Sequence, residues 1–262
     1  MTESPKKTDK INVDNTIENE SLKPLGFWKS VLYFGIAAVI MAAMYYGLFL
    51  RWRGRFGIVN GYFYSFIAAL LTILFLSIAL FYQESDEKNP ATWQRLIVRF
   101  NLKKLKRHDW KWVFISLGLI IPISIGMGIL NGWLLSVLKI PIPWAGIYEA
   151  EANAELLFPT AFQVIMMFVV ILLTVLAEEM LFRGFIYPRQ ESLYGNWTWV
   201  VHGLMWWAFY AFRWFNLPSI LVSSLLIPFL WHKTKNTTAT MIAHFIGSMA
   251  NIGVGYILLL VF

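Results

Sequence analysis

The apolar residues of this 262-residue chain fall in continuous blocks rather than at amphipathic spacing, and most blocks reach the length of about 20 residues that crosses a bilayer as a helix. In hydrocarbon no water satisfies backbone N–H and C=O groups, so a spanning segment must pair them internally, as a helix does. The expected fold is therefore all-α, a polytopic transmembrane helix bundle of about seven spans, or eight. The seven run Trp28–Leu50, Gly61–Tyr82, Val113–Leu138, Thr160–Tyr187, Trp197–Phe212, Pro218–Trp231 and Thr238–Val261. The fifth and sixth are short for a bilayer of about 30 Å, which suits tilted, broken or bundle-buried helices.

Composition sharpens this. With 58% hydrophobic and only 14% charged residues, the chain is not an ordinary soluble domain. Its thirteen Trp and eleven Tyr suit anchoring at membrane interfaces. The absence of cysteine excludes disulfides, thiolate nucleophiles and cysteine-ligated metals. A net charge of +7 raises nucleic acid as a partner, but the positions of the basic residues point to membrane lipid instead. Five lie before residue 30, eight lie between Lys88 and Lys111, and Arg183, Arg189, Lys233 and Lys235 complete the set. With the N-terminus in the cytoplasm, these 17 of the 22 Lys and Arg fall inside, as the positive-inside rule asks. Arg51, Arg53, Arg55, Lys139 and Arg213 then fall outside. The expected location is the cell membrane, as a multi-pass protein.

Three regions follow. Residues 1–27 are polar and read as a disordered cytoplasmic tail. Residues 28–112 form an N-terminal transmembrane hairpin plus a basic amphipathic loop, drawn to anionic lipid or simply solvated. Residues 113–262 hold the remaining spans. The outer loop, residues 140–158, carries Glu149, Glu151 and Glu155 without metal-like spacing and reads as a solvated acidic face.

Within the fourth span, Glu178 and Glu179 stand side by side, with Arg183 four residues after the second. An ionised carboxylate in hydrocarbon costs several kcal/mol, about 3 on the lowest scales, so two together imply a use. Glu179 and Arg183 have the favourable i, i+4 order for a helical ion pair. Glu178 points about 100° away around the helix and is left available. On the last span His244, Ser248 and Asn251 share one face at i, i+4 and i+7, with Gly247 permitting close approach. A carboxylate on one helix facing a histidine and small polar groups on another makes a water-activating and oxyanion-binding set. Each residue also has a structural reading: the acids as a packing ion cluster, His244, Ser248 and Asn251 as interhelical hydrogen bonders. On that basis His202 is an interfacial residue among tryptophans and Tyr210 one more aromatic of its helix.

The run Glu178-Glu179-x-x-x-Arg183, continuing as Gly184-Phe185-Ile186-Tyr187-Pro188-Arg189-Gln190, resembles the first motif of the CPBP intramembrane proteases. That family, also called Abi, comprises CAAX prenyl endopeptidases and bacteriocin-processing or immunity relatives. The resemblance spans roughly Thr160 to Asn251 and makes residues 113–262 a CPBP-like protease core. It implies that Glu178 activates water, that Glu179 with Arg183 supports the site, and that His244 is the third-motif histidine of the oxyanion site. In two places the chain departs from the family pattern. Tyr210, in Trp206-x-x-x-Tyr210, replaces the second-motif histidine, and Ser248 replaces the usual Asn or Asp, with Asn251 one turn further on. A tyrosine with an ordinary pKa near 10 is a poor base at neutral pH.

The resemblance implies an intramembrane endopeptidase that hydrolyses a peptide or membrane-protein substrate with a glutamate-activated water. The alternative is a catalytically degenerate homologue acting as a membrane scaffold or regulatory or immunity protein. Family descriptions include metallopeptidases, so zinc enters by analogy. One histidine among carboxylates is a poor zinc set, and no cofactor is expected.

Overall fold

The computed structural model describes residues 22–86 and 90–261, with side chains described to residue 253. The expected disordered tail lies outside the described residues as far as residue 21. Every regular element among the described residues is helical.

Helix α1, Phe27–Phe56, contains a π turn at Met44–Leu48 and meets α2, Ile58–Gln83, at Gly57. Gly57 has φ +82°, a conformation open to glycine and costly for other residues. Four residues on, Gly61 lets the hairpin close. A Cβ there would stand 2.7 Å from the Arg53 backbone nitrogen. Short helix α3, Trp93–Arg99, leads to α4, Arg107–Val137, and an outer helix α5, Trp144–Glu155. Helix α6, Ala161–Glu178, runs into a π turn, Glu179–Ile186, and then into α7, Tyr187–Tyr194. Helix α8, Thr198–Phe209, ends in a 3-10 stretch, Tyr210–Asn216, followed by α9, Leu217–Thr234, and α10, Thr237–Val261.

Four stretches among the described residues are long and apolar enough to cross a membrane: Phe27–Phe56, Ile58–Gln83, Arg107–Val137 and Ala161–Thr234. The last contains α6 through α9, which the sequence divides into three spans. Together with their lipid-like outer faces, such as exposed Phe75, Phe114, Ile165 and Leu172, these stretches make the chain a membrane protein.

Local sequence explains where α6 begins and where its geometry changes. Thr160 caps it, accepting from the Gln163 amide at 3.3 Å, while Gln163 Oε1 accepts the Thr160 amide at 2.8 Å. This reciprocal capping box satisfies two donors that the first turn leaves open. After Glu178 the α-helix loosens into the π turn, and Pro188 in the next turn has no N–H to return to Gly184. Gly184 also admits the ring of Phe100, which a Cβ there would strike. Phe182 stacks on Phe34 at 4.6 Å and meets Phe209 edge-on at 5.1 Å, pinning the turn between α1 and α8.

Helix α8 packs closely on α9 through Gly203, where a Cβ would meet the Ser224 carbonyl oxygen at 2.7 Å and the Leu225 Cα at 3.2 Å. Those are backbone atoms, so the helices themselves would have to part. Gly203→Ala is expected to cost about 1–3 kcal/mol of stability, read as a lower Tm of the detergent-solubilised protein. An unchanged Tm would show that the contact is slack.

The sequence expectation of a solvated acidic outer face fails at Glu149. This carboxylate is 7% exposed and sits in a polar cluster beneath α5. Tyr45 and the Arg213 guanidinium bond to it, and Tyr62 donates at 3.4 Å. The reason is tertiary: α5 folds back over α2 and brings the carboxylate it carries onto an arginine from the 3-10 stretch. Removing that cation leaves Glu149 buried and unpaired, so Arg213→Ala should destabilise the protein by about 3 kcal/mol, and Arg213→Ala with Glu149→Leu by less. Chemical or thermal unfolding of the two variants checks this. The basic loop is likewise not all solvated. Arg95 is 2% exposed and donates to Ser85 Oγ at 2.7 Å, while Arg99 pairs with Glu84 at 3.1 Å.

Candidate active site

The end of α6, α8 with its 3-10 extension, α9 and α10 converge on one cavity of about 370 Å³. Its wall includes Glu178, Tyr210, His244, Ser248 and Asn251, five of the seven residues singled out in the sequence. Glu179 and Arg183, the other two, are fully buried behind it.

Glu178 is only 1% exposed because two aromatic side chains cover its carboxylate. The Tyr210 hydroxyl lies 2.7 Å from Oε1 and 2.8 Å from Oε2, so its one proton is shared between the two oxygens. The Trp206 indole N–H donates to Oε2 at 3.0 Å. A carboxylate has about four lone-pair positions, so these two donors leave room for a water. Trp206 carries no place in the residue set read from sequence. Its position four residues before Tyr210, on the same face of α8, was the available signal.

Glu179 turns the other way. Its Oε1 accepts from His244 Nδ1 at 2.8 Å and faces Arg183 Nη1 at 3.3 Å. The i, i+4 pair thus forms even across the π turn. The Arg183 guanidinium lies over the Trp206 ring, 3.5 Å from its centroid, a cation–π contact worth about 2 kcal/mol when desolvated. Trp206 therefore links the two halves of the site: its N–H holds Glu178, and its face holds the arginine that holds Glu179.

Because Nδ1 is committed to Glu179, the other ring nitrogen of His244 is the one left for chemistry. Ser248 and Asn251 extend the same wall along α10, with Ser248 half-buried and Asn251 exposed. Thr174, one turn before Glu178, also lines the cavity and was not among the sequence candidates.

His202 is not interfacial, contrary to the sequence expectation. It is fully buried, with Nδ1 2.7 Å from Gln190 Oε1, since α7 folds back along α8 and shields it. It does not line the cavity.

Among the described residues no three His, Cys, Asp or Glu side chains group to hold a metal ion. The donor set does not fit zinc: Glu178 is engaged by Tyr210 and Trp206, and Glu179 by His244 and Arg183.

Residues 160–250 match the family of type II CAAX prenyl endopeptidases described as Rce1-like. The matched segment takes in Glu178, Glu179, Arg183, Trp206, Tyr210, His244 and Ser248, and stops just before Asn251. No curated protein and no solved structure matches the chain.

Proposed function

We propose that the chain is an intramembrane endopeptidase in which Glu178 activates a water for attack on a peptide bond. The observation that carries the reading is the shared cavity of Glu178, Tyr210, His244 and Ser248, backed by the Glu179–Arg183 pair. The water gives a proton to the Glu178 carboxylate as its oxygen bonds to the carbonyl carbon. The resulting oxyanion receives hydrogen bonds from the His244 ring and the Ser248 hydroxyl. The proton on Glu178 then passes to the departing amine as the C–N bond breaks. Tyr210 holds the carboxylate in place and does not act as the second base. The chemistry is metal-free, with the N-terminus cytoplasmic, seven spans, and a peptide or membrane-protein substrate entering from the bilayer of the cell membrane.

One observation favours a second reading. The Tyr210 hydroxyl reaches both oxygens of Glu178, which suits a carboxylate locked in place in a scaffold or regulatory homologue.

Hydrolysis separates the two. The protein, reconstituted in liposomes, is incubated with a library of membrane-inserting peptides in ¹⁸O-water. New fragments with one ¹⁸O in the new carboxyl group are expected, at a rate unaffected by strong chelators. Loss of cleavage with chelator, restored by zinc, would overturn the metal-free mechanism, and absence of any labelled fragment would favour the scaffold.

A further inference from the structure

A second chamber, of about 330 Å³, lies beside the candidate site between α4, α9 and α10. Its wall carries Ser124, Arg213, Asn216, Ser219, Ser223 and Asn251, so polar groups from several elements face one space inside a membrane-spanning bundle. Arg213, Ser223 and Asn251 also line the cavity of Glu178, which makes the two spaces neighbours across a polar wall.

Helix packing does not account for this wall. Serines that join helices bond across to a neighbour, but Ser219 and Ser223 donate to the Asn216 and Ile220 carbonyls of their own segment, each at 2.8 Å. Their oxygens still have lone pairs that can accept. Ser124 is 7% exposed, and its hydroxyl has no hydrogen-bond partner among the described residues. A buried hydroxyl in that position is ordinarily bonded to ordered water. Arg213, with φ −116° and ψ 47°, breaks the helical geometry. Irregular backbone at membrane depth is tolerated where it is buried in protein or lines a water-filled space, and polar side chains there follow the same rule. Hydration relieves all of these costs together, and the chamber is ample for several hydrogen-bonded waters.

We propose that this chamber is a water passage into the site, opening at the end of the bundle where α4 finishes beside the 3-10 stretch. Asn131 of α4 donates there to the Phe215 carbonyl at 2.7 Å. Lys139, just beyond α4, marks that end, and Lys235, which caps α9, marks the opposite one. Water enters past Asn216 and Ser219, passes Arg213, Ser223 and Asn251, and reaches Glu178. The passage stands on the cavities alone, and only its use in supplying the attacking water rests on the hydrolytic reading.

The absence of cysteine lets single-cysteine variants of the full-length protein report hydration directly, since the reactive thiolate forms poorly in apolar surroundings. In proteoliposomes, a small membrane-impermeant methanethiosulfonate is applied from one side at a time. Ser219→Cys and Ser223→Cys should react from the side that modifies Lys139→Cys, roughly a hundredfold faster than lipid-facing Leu172→Cys or packed Ser77→Cys. Thr174→Cys, in the Glu178 cavity but outside the chamber, should react from that side more slowly. Gly128 offers a place for a plug: it lines the chamber and not the Glu178 cavity, and a Cβ there would have Ser219 Cβ nearest, at 3.9 Å. Gly128→Leu, filling the space, should slow the modification of Thr174→Cys by about tenfold, while Gly128→Ala, which fits, should not. In the cleavage assay Gly128→Leu should keep KM within about twofold of the wild type, and a large rise in KM with kcat unchanged would make the chamber a substrate groove and overturn the proposal. Chamber cysteines no more reactive than Ser77→Cys would also overturn it, as would modification only from the side that reaches Lys235→Cys, or a Thr174→Cys rate untouched by the plug. If the wild type cleaves nothing, hydrolysis fails as a reading while thiol modification still decides this one.

Discussion

Glu178→Gln is expected to abolish peptide cleavage while leaving the protein expressed, monodisperse in detergent and helical. The amide keeps the length and volume of the side chain, and its oxygen still accepts from the Trp206 indole N–H that holds the carboxylate now. What it loses is the ability to take a proton from water. General-base assistance contributes about 10²–10⁴ in rate, so the residual activity should fall by at least that factor. A structural role makes the opposite forecast. If Glu178 chiefly anchored Tyr210 and Trp206, the amide variant would keep much of the function, and Glu178→Leu would cost stability by leaving a buried hydroxyl and indole N–H without an acceptor. Measuring cleavage and Tm for both variants in one preparation separates the alternatives. Full activity in Glu178→Gln would end the case for Glu178 as the water-activating group.

The second large effect concerns the residue where the chain departs from the family pattern. Tyr210→His should raise the cleavage rate, by roughly 10² or more if a second base is what the wild-type site lacks. The imidazole would stand next to the Glu178 carboxylate, where the phenol now makes contacts of 2.7 and 2.8 Å, and would add a base that titrates near neutrality. Tyr210→Phe is the control. It removes the hydroxyl and keeps the ring that packs edge-on against Phe209 at 4.8 Å. If Tyr210 only steadies the carboxylate, the Phe variant should lose a modest part of the rate, on the order of tenfold for one charge-assisted hydrogen bond. A His variant no faster than the Phe variant would show that position 210 no longer serves the chemistry.

Several features were legible in the residues alone. The apolar blocks forced a helical membrane protein, and the Glu-Glu-x-x-x-Arg run pointed to the place where polar groups gather. The spacing of His244, Ser248 and Asn251 put all three on one wall, and all three line the cavity. Trp206 was visible as an i−4 neighbour of Tyr210, but nothing in one sequence marks an indole N–H as a carboxylate ligand among thirteen tryptophans. Glu149 and His202 were misread for a shared reason. Local sequence places one in a polar loop and the other among interfacial aromatics, while their burial is tertiary: α5 carries Glu149 inward against Tyr45, Tyr62 and Arg213, and α7 folds back over His202.

The sequence by itself determined that the chain crosses a membrane as helices and that its unusual charges concentrate at the end of α6. Helical periodicity and the cost of charge in hydrocarbon act within a single segment, so they can be read without a fold. Only the tertiary structure decided the longer-range pairings: Glu178 with Tyr210 and Trp206, Glu179 with His244, Glu149 with Arg213. Two adjacent, chemically identical carboxylates differ only in which neighbouring helix each faces. That is fixed by the π turn after Glu178 and by the packing of α8 and α10, neither of which a one-dimensional pattern contains.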